Sequence, residues 1–390
     1  MIQKTSFYSW KTGNLAKGCR LCVEGSKLVL FATGLCPRSC FYCPLSEQKK
    51  NKDVVYADEW KIEKDRDIIA EAKSISAKGA SLTGGDPFIV LNRSIKYIKL
   101  LKKAFGKKFH IHLYTLPELL TLNKLKKFYN AGLDEIRLHP DIFNRKNWNK
   151  IDLVKKFKWQ IGVEIPVIPG HKKKIMELID YFADKINFLN LNELEISDTN
   201  ADKLLKMGFR CKDEVSYGIK GSEELAFELL KHISKKHPKP NVHYCTATLK
   251  DKVQLANRIK RRAKNTAKAY DIVSEEGMLI RGAVYLPDLK PGFSYRKRLE
   301  NILKNKKIKN KLIKKLNTIK NNLKKDFKIK NSLIDIDEQK LRILASMKII
   351  DKIKNKIILK GLCPAIVEEY PTWDQTEIDI EFLRNKAKTI

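Results

Sequence analysis

An α/β chain is predicted: a partial or full (β/α) barrel with a basic α+β C-terminal extension. Three observations predict it. Seven short β-rich runs between residues 27 and 249 alternate with amphipathic helical stretches, the pattern of a parallel sheet with crossover helices. The polar features gather at the C-terminal ends of those runs, where such barrels place their chemistry. Past residue 250 the alternation stops and Lys and Arg dominate. Three segments follow: 1–26 as an N-terminal extension, 27–249 as the barrel, and 250–390 as a basic domain for nucleic acid or a partner.

The runs are "KLVLFATG" (27–34), "GASLTGGDP" (79–87), "FHIHLYT" (109–115), "LDEIRLHP" (133–140), "WQIGVEIPVIPG" (159–170), "INFLNLNELEIS" (186–197) and "NVHYCTATL" (241–249). Between them, "LNRSIKYIKLLKKAF" and "KKKIMELIDYFADKI" repeat apolar residues every three or four positions, as one face of a helix does. Beyond 250, "KDKVQLANRIKRRAKNTAKAY" reads as a basic helix and "DIVSEEGMLIRGAVYLP" as a hairpin turning at Glu-Glu-Gly. Lys-rich helices fill 292–330, and the tail is more acidic.

Of the 390 residues 43% are hydrophobic, enough for a sizeable core, and the net charge is +34. No uncharged apolar run nears the roughly 18 residues that span a bilayer, and the first residues lack a secretory h-region. A soluble, cytoplasmic chain without membrane contact is expected. There, clustered cysteines read as metal ligands rather than disulfides. Residues 250–330 hold 25 Lys and Arg against 7 Asp and Glu. Such a field attracts polyanions, although the wealth of Lys, Ile and Asn is also what an AT-rich genome writes.

Three of the 8 cysteines stand in "CPRSCFYC": Cys36, Cys40 and Cys43. Three thiolates are one short of a closed zinc site and of an electron-transfer [4Fe–4S] cluster. A cubane so held keeps one iron open to a ligand that reacts. This C-x3-C-x-φ-C stretch, with Tyr42 as φ, resembles the signature of the radical S-adenosylmethionine (SAM) superfamily. "TGGDP" is similar to that family's Gly-Gly-Glu-Pro motif, with Asp86 where Glu is usual. The longer "KGCRLCVEGSKLVLFATGLCPRSCFYCPLSE" resembles archaeal radical SAM proteins related to the pyruvate formate-lyase activating enzyme.

The resemblance implies a radical SAM barrel in which Cys36, Cys40 and Cys43 ligate a [4Fe–4S] cluster. The open iron chelates SAM, and reductive cleavage yields a 5′-deoxyadenosyl radical. A one-electron donor of flavodoxin or ferredoxin type is implied. Backbone at Tyr42 would lie against adenine, and Gly84, Gly85, Asp86 and Pro87 would hold the methionyl amino group. Thr115, His139 and Glu164, on or at the ends of strands, are candidates for the SAM ribose or carboxylate. Glu164 has a second reading, as partner of Arg137. "NLNELE" carries Asn190, Asn192, Glu193 and Glu195, and so many polar groups suggest a lined cavity; Asn192 is the candidate SAM or substrate contact.

Cys19 and Cys22 form a separate C-x2-C, half of a zinc or second Fe–S site if it is a knuckle. His243 and Cys245 are the candidate other half, with Cys211 and Cys363 as alternatives. For the substrate, Arg258, Lys260, Arg261, Arg262 and Lys264 suit a phosphate backbone, with Tyr270 and Tyr295 as stacking surfaces; RNA, in particular tRNA, is the expected substrate. The alternative is a glycyl-radical activating enzyme working on a partner protein.

Overall fold

The computed structural model describes residues 1–384. The chain divides into two compact units, one ending at Arg258 and one beginning at Ile259.

The first unit opens with β1 (Ile2–Lys4), β2 (Trp10–Thr12) and α1 (Lys17–Val23), then β3 (Lys27–Thr33) and the small hairpin β4 (Tyr56–Ala57) and β5 (Trp60–Lys61). There follow α2 (Asp65–Ser74), β6 (Gly79–Gly84), α3 (Leu91–Phe105), β7 (His110–Thr115), α4 (Leu122–Ala131), β8 (Glu135–Leu138), α5 (Ile151–Val154), β9 (Gln160–Val167), α6 (Lys172–Phe182), β10 (Phe188–Glu193), α7 (Ala201–Lys206), α8 (Ser222–Lys236) and β11 (Asn241–Cys245). β3, β6, β7, β8, β9, β10 and β11 pair in that order, all parallel. Antiparallel strands flank the run: β2 and β1 beyond β11, β4 and β5 beyond β3. Among the described residues β3 and β11 do not pair, so the barrel is partial.

These elements follow from local sequence. β3, "KLVLFAT", is buried along nearly its whole length, as a parallel strand covered on both faces must be. α3 buries Tyr97, Ile98 and Leu101 and turns Lys96, Lys99 and Lys103 outward. The Thr121 hydroxyl caps α4 by accepting from Lys124 N, and Gly132 ends it at φ +97°. Gly162 on β9 is required because a Cβ there would lie 2.2 Å from the Phe188 ring.

The interior is polar where α1 packs near the strands. Arg137 donates to Glu135 at 2.7 Å and to Glu164 at 2.9 Å. The Lys27 ammonium donates to the Gly18 carbonyl at 2.9 Å and to His112 Nε2 at 3.3 Å. Burial pushes the Glu135 carboxyl upward, but Arg137 and His110 outweigh it and hold it at about 2. These charges are inside yet paired.

α9 (Ala247–Leu249), a π-helical turn (Lys250–Leu255) and α10 (Ala256–Thr266) run on from β11, and the division between units falls within α10. The second unit is an antiparallel sheet of β12 (Ile272–Val273), β13 (Leu279–Tyr285), β14 (Ile334–Asp337), β15 (Arg342–Ala345), β16 (Cys363–Glu369) and β17 (Glu377–Phe382), with α11 (Tyr295–Lys304), α12 (Lys306–Phe327) and α13 (Met347–Leu359). Its path is β14-β15-β13-β16-β17, with β12 on β13. Arg342, fully buried, donates to Asp337 at 2.9 Å and Glu369 at 2.6 Å, and Arg281 donates to Glu369 at 2.9 Å.

Arg137→Met leaves Glu135 and Glu164 without their cation. It is expected to destabilise the protein by about 3–5 kcal/mol, read as a lower urea midpoint at unchanged slope; a loss below about 1 kcal/mol would show the pairing to be dispensable.

Candidate active site

The chain leaves β3 at Thr33 and runs without helix or strand to β4, carrying Cys36, Cys40 and Cys43. The second motif meets it backbone to backbone. Gly85 N donates to Thr33 O at 2.7 Å and Asp86 N to Leu35 O at 2.8 Å. A Cβ on Gly84 would lie 2.2 Å from Thr33 O, and one on Gly85 2.0 Å from Leu35 O. Gly84 also sits at φ +146°, so the two glycines are a steric requirement.

Side chains tether the loop elsewhere. Arg38 grips Glu118 through two bonds of 2.6 Å and donates to the His139 carbonyl at 3.2 Å. Thr199 donates to the Cys43 and Leu45 carbonyls, and Asn200 to that of Tyr42. Asp53 accepts from Thr33 at 2.9 Å and pairs with Arg93 on α3.

The three cysteines line a cavity of about 370 Å³ together with Tyr42, Gly84, Gly85, Asp86, Thr115, His139, Glu164 and Asn192. Pro87 is buried outside the lining, its carbonyl accepting from Ser94. Sequence reasoning thus placed these lining residues at one end of the barrel. It did not foresee how fully their polar atoms are engaged. The Asp86 carboxylate accepts from Phe88 N, Leu116 N and the Thr115 hydroxyl, at 2.8 to 3.2 Å. It fastens the end of β6 to the end of β7, which one methylene fewer than Glu allows. Thr115, a candidate for the SAM ribose or carboxylate, gives its hydroxyl proton to Asp86.

His139 Nδ1 lies 2.8 Å from the Glu164 carbonyl, which can only accept; Nδ1 therefore carries the proton and Nε2 accepts from Tyr42 OH at 3.0 Å. Burial lowers the His139 pKa and keeps the ring neutral. With both nitrogens taken, His139 positions Tyr42 and the loop. Glu164 accepts from Arg137, Asn190 and Asn192; burial raises its carboxyl but these donors lower it further. The Arg137 reading of Glu164 is the one seen. Asn192 spends its amide N–H on Glu164 at 3.0 Å and keeps its carbonyl oxygen.

Glu193, Glu195 and Lys250 also line the cavity. Glu193 accepts from Lys212 and Ala247 N, and Glu195 from Lys250. The polar density of "NLNELE" announced the two glutamates. Lys250, Glu118, Thr199 and Asn200 carry no motif, and Arg38 is a variable position within the cysteine stretch; contacts spanning up to 158 positions of sequence reveal them.

The donor set fits an iron–sulfur cluster. Burial first, then Asp86 and the other two thiols, push Cys36 up to about 11, and burial likewise raises Cys40. With Cys36 and Cys40 raised, a bound cation is what would favour their thiolate forms. Their sulfurs are not gathered tightly enough for one ion: among the described residues they form no group with all ligand atoms within 4.8 Å.

The residues expected to hold a second metal do not form a group with all ligand atoms within 4.8 Å of one another among the described residues. Its C-x2-C lies on helix α1 rather than a knuckle, so Cys19 turns inward and Cys22 stays half-buried. Cys19 accepts from Asn190 at 3.3 Å and Arg137 at 3.4 Å. His243 bonds Ser9 at 3.0 Å, and Gln254 lies 3.8 Å from Cys245. Cys211 bridges to Ile219, and Cys363 begins β16 of the other unit. The groups of closely spaced ligands lie elsewhere.

The basic helix is also corrected. Arg258 pairs with Asp58 at 2.9 Å and Glu59 at 2.7 Å, and buried Arg262 donates to the Pro371 carbonyl. Arg261 is half-buried and partnered. Lys260 and Lys264 alone of the five are exposed. Tyr270 and Tyr295 are buried, so neither is a stacking surface. Ion pairs and hydrogen bonds claimed Arg258 and Arg262, and burial claimed the two tyrosines, neither of which periodicity foretells.

Residues 30–187 match the family model of the radical SAM superfamily. A curated protein of Methanocaldococcus jannaschii, provisionally named a glycyl-radical enzyme activating enzyme, is 46% identical over 277 residues, 69% of this chain and 73% of its own. Among solved structures, Streptococcus suis SuiB aligns at 12% identity and TM-score 0.39 over 58% of this chain and 52% of its own, so the chain spans about half of SuiB. Methylornithine synthase PylB aligns at 14% and 0.38 over 57% and 71%. No helix among the described residues is long and apolar enough to cross a membrane.

Gly85→Ala is expected to strip the cysteine loop of its seat: iron retained after anaerobic reconstitution falls at least about fivefold while far-ultraviolet dichroism is kept, and full retention would contradict it. Burial lowers His243 to about 4. Its folded pKa is thus depressed below the ordinary 6.5, and stability present above pH 6.5 is lost as pH falls toward 4, up to about 3 kcal/mol. Urea unfolding of His243→Gln against pH should show a shallower acid slope than wild type.

Proposed function

Because the chain belongs to the radical SAM superfamily, as an enzyme with a [4Fe–4S] cluster and SAM as cofactors, we propose that it acts on a partner protein and generates a glycyl radical there. One observation carries this reading: the 46% identical relative bears the name of a glycyl-radical enzyme activating enzyme. The site supports it. Its acidic side chains, Asp86, Glu164, Glu193 and Glu195, all accept bonds from protein donors. Hydrogen-atom abstraction needs no acid–base pair from the protein, and the cofactors carry the difficult step.

Cys36, Cys40 and Cys43 would hold the cluster, and the Gly84–Asp86 turn, with its side chain and amides already engaged, would present backbone carbonyls to the SAM amino group. Arg38, Tyr42 and His139 keep the loop in register. When bound, the cofactors supply, for one electron from a flavodoxin- or ferredoxin-type donor, methionine and a 5′-deoxyadenosyl radical that removes a glycine α-hydrogen and leaves as 5′-deoxyadenosine. The carbonyl of Asn192 and the paired Glu195–Lys250 face the space left for substrate.

RNA is the lesser reading, since three of its five proposed phosphate contacts are buried or paired within the protein.

Reconstituted anaerobically with dithionite and SAM, the protein is expected to release 5′-deoxyadenosine. With host extract added it should give a glycyl-type electron paramagnetic resonance doublet that is absent with Cys40→Ala. Filter binding to bulk tRNA at low and high salt should stay weak. Tight, steeply salt-dependent tRNA binding with no protein radical would overturn the proposal in favour of RNA.

A further inference from the structure

We propose that Asp180, His232 and His237 form a zinc site on the outer helices of the first unit, separate from the cysteine loop. Asp180 lies on α6, His232 on α8, and His237 is the residue that ends α8. His232 Nε2 and His237 Nε2 stand 2.5 and 2.9 Å from Asp180 Oδ1, and all three ligand atoms lie within 4.8 Å of one another.

That convergence is not given by the helix. Residues five apart on a continuous α-helix diverge by about 140°, and one carboxylate would not meet both. Here α8 stops at Lys236 ahead of Pro238. His237 takes φ −135°, ψ 72° and swings back beside His232, ring centroids 6.3 Å apart.

The surroundings suit a metal ligand set. Lys236 Nζ holds the other carboxylate oxygen, Oδ2, at 2.6 Å, which fixes the Asp180 rotamer and leaves Oδ1 as a single donor. Asp184 Oδ2 lies 3.7 Å from His237 Nδ1, on the side of the ring away from Asp180. Outer carboxylates of this kind orient metal-bound imidazoles and take their remaining N–H. Two imidazoles and one carboxylate, with solvent in the fourth position, make an open tetrahedral Zn²⁺ site; imidazole donors disfavour Mg²⁺ and Ca²⁺. His232 and His237 are 16% and 10% exposed, enough for an ion to enter. Both would give up the Nε2 proton on binding. The ion would tie α6 to α8, covering strands whose far ends carry the cavity.

The test uses full-length, cluster-loaded protein dialysed against Zn²⁺ and then unfolded thermally with and without the ion. One zinc beyond the cluster's iron is expected, with a Tm raised by several degrees. His232→Gln and Asp180→Asn should each weaken binding by at least about 100-fold and abolish the Tm response, and Asp184→Asn should weaken it by about 10-fold. Co²⁺ should give the visible absorption of a four-coordinate site in wild type alone. Equal zinc uptake by wild type and variants would overturn the proposal. So would a Tm that the variants lower equally with and without zinc, the mark of a cluster held by hydrogen bonds alone.

Discussion

Everything at the site depends on the distance between two backbones. The turn at Gly84–Gly85–Asp86 lies so close to the start of the cysteine loop that a methyl group on either glycine would fall within about 2.2 Å of a carbonyl oxygen. Two amide bonds, from Gly85 and Asp86, close the contact. The loop has no helix or strand of its own, and long irregular loops are mobile unless held. Its seat is therefore the end of β6, and the strands of the parallel sheet fix that seat in turn. Asp86 extends the chain of positions one strand further by binding Thr115 and Leu116 at the end of β7.

A second layer of order comes from buried charge. Arg137 joins Glu135 to Glu164, and Glu164 gathers Asn190 and Asn192. Removing any one of these leaves others desolvated and unpaired, which is why such networks specify geometry more than they add stability. The same logic recurs in the second unit, where Arg342, Arg281, Asp337 and Glu369 interlock in the interior. These networks hold Glu135, Asp337 and Glu369 in the interior, whereas α12 buries only Leu316 and Leu323 and none of its lysines.

The barrel was legible because its signals are local. Strand–helix alternation gave the seven parallel strands to within a residue or two at most ends, and the Glu-Glu-Gly hairpin became β12 and β13. The cysteines and the glycine pair were legible because spacing and sterics leave few alternatives. β1 and β2 escaped because three-residue strands carry little periodicity. The side-chain roles were less legible. Nothing in "LHP" says that both His139 nitrogens are taken, and nothing in "RIKRRAK" says that Arg258 turns toward Asp58. Those outcomes are set by partners from 25 to 200 residues away in sequence.

The most direct test of the central claim is electron paramagnetic resonance of the reduced, iron-loaded protein with and without SAM. The account predicts one cluster signal that changes shape when SAM binds, and its loss when any one of Cys36, Cys40 or Cys43 becomes alanine. A signal indifferent to SAM, or one that survives removal of any of these thiols, would contradict it.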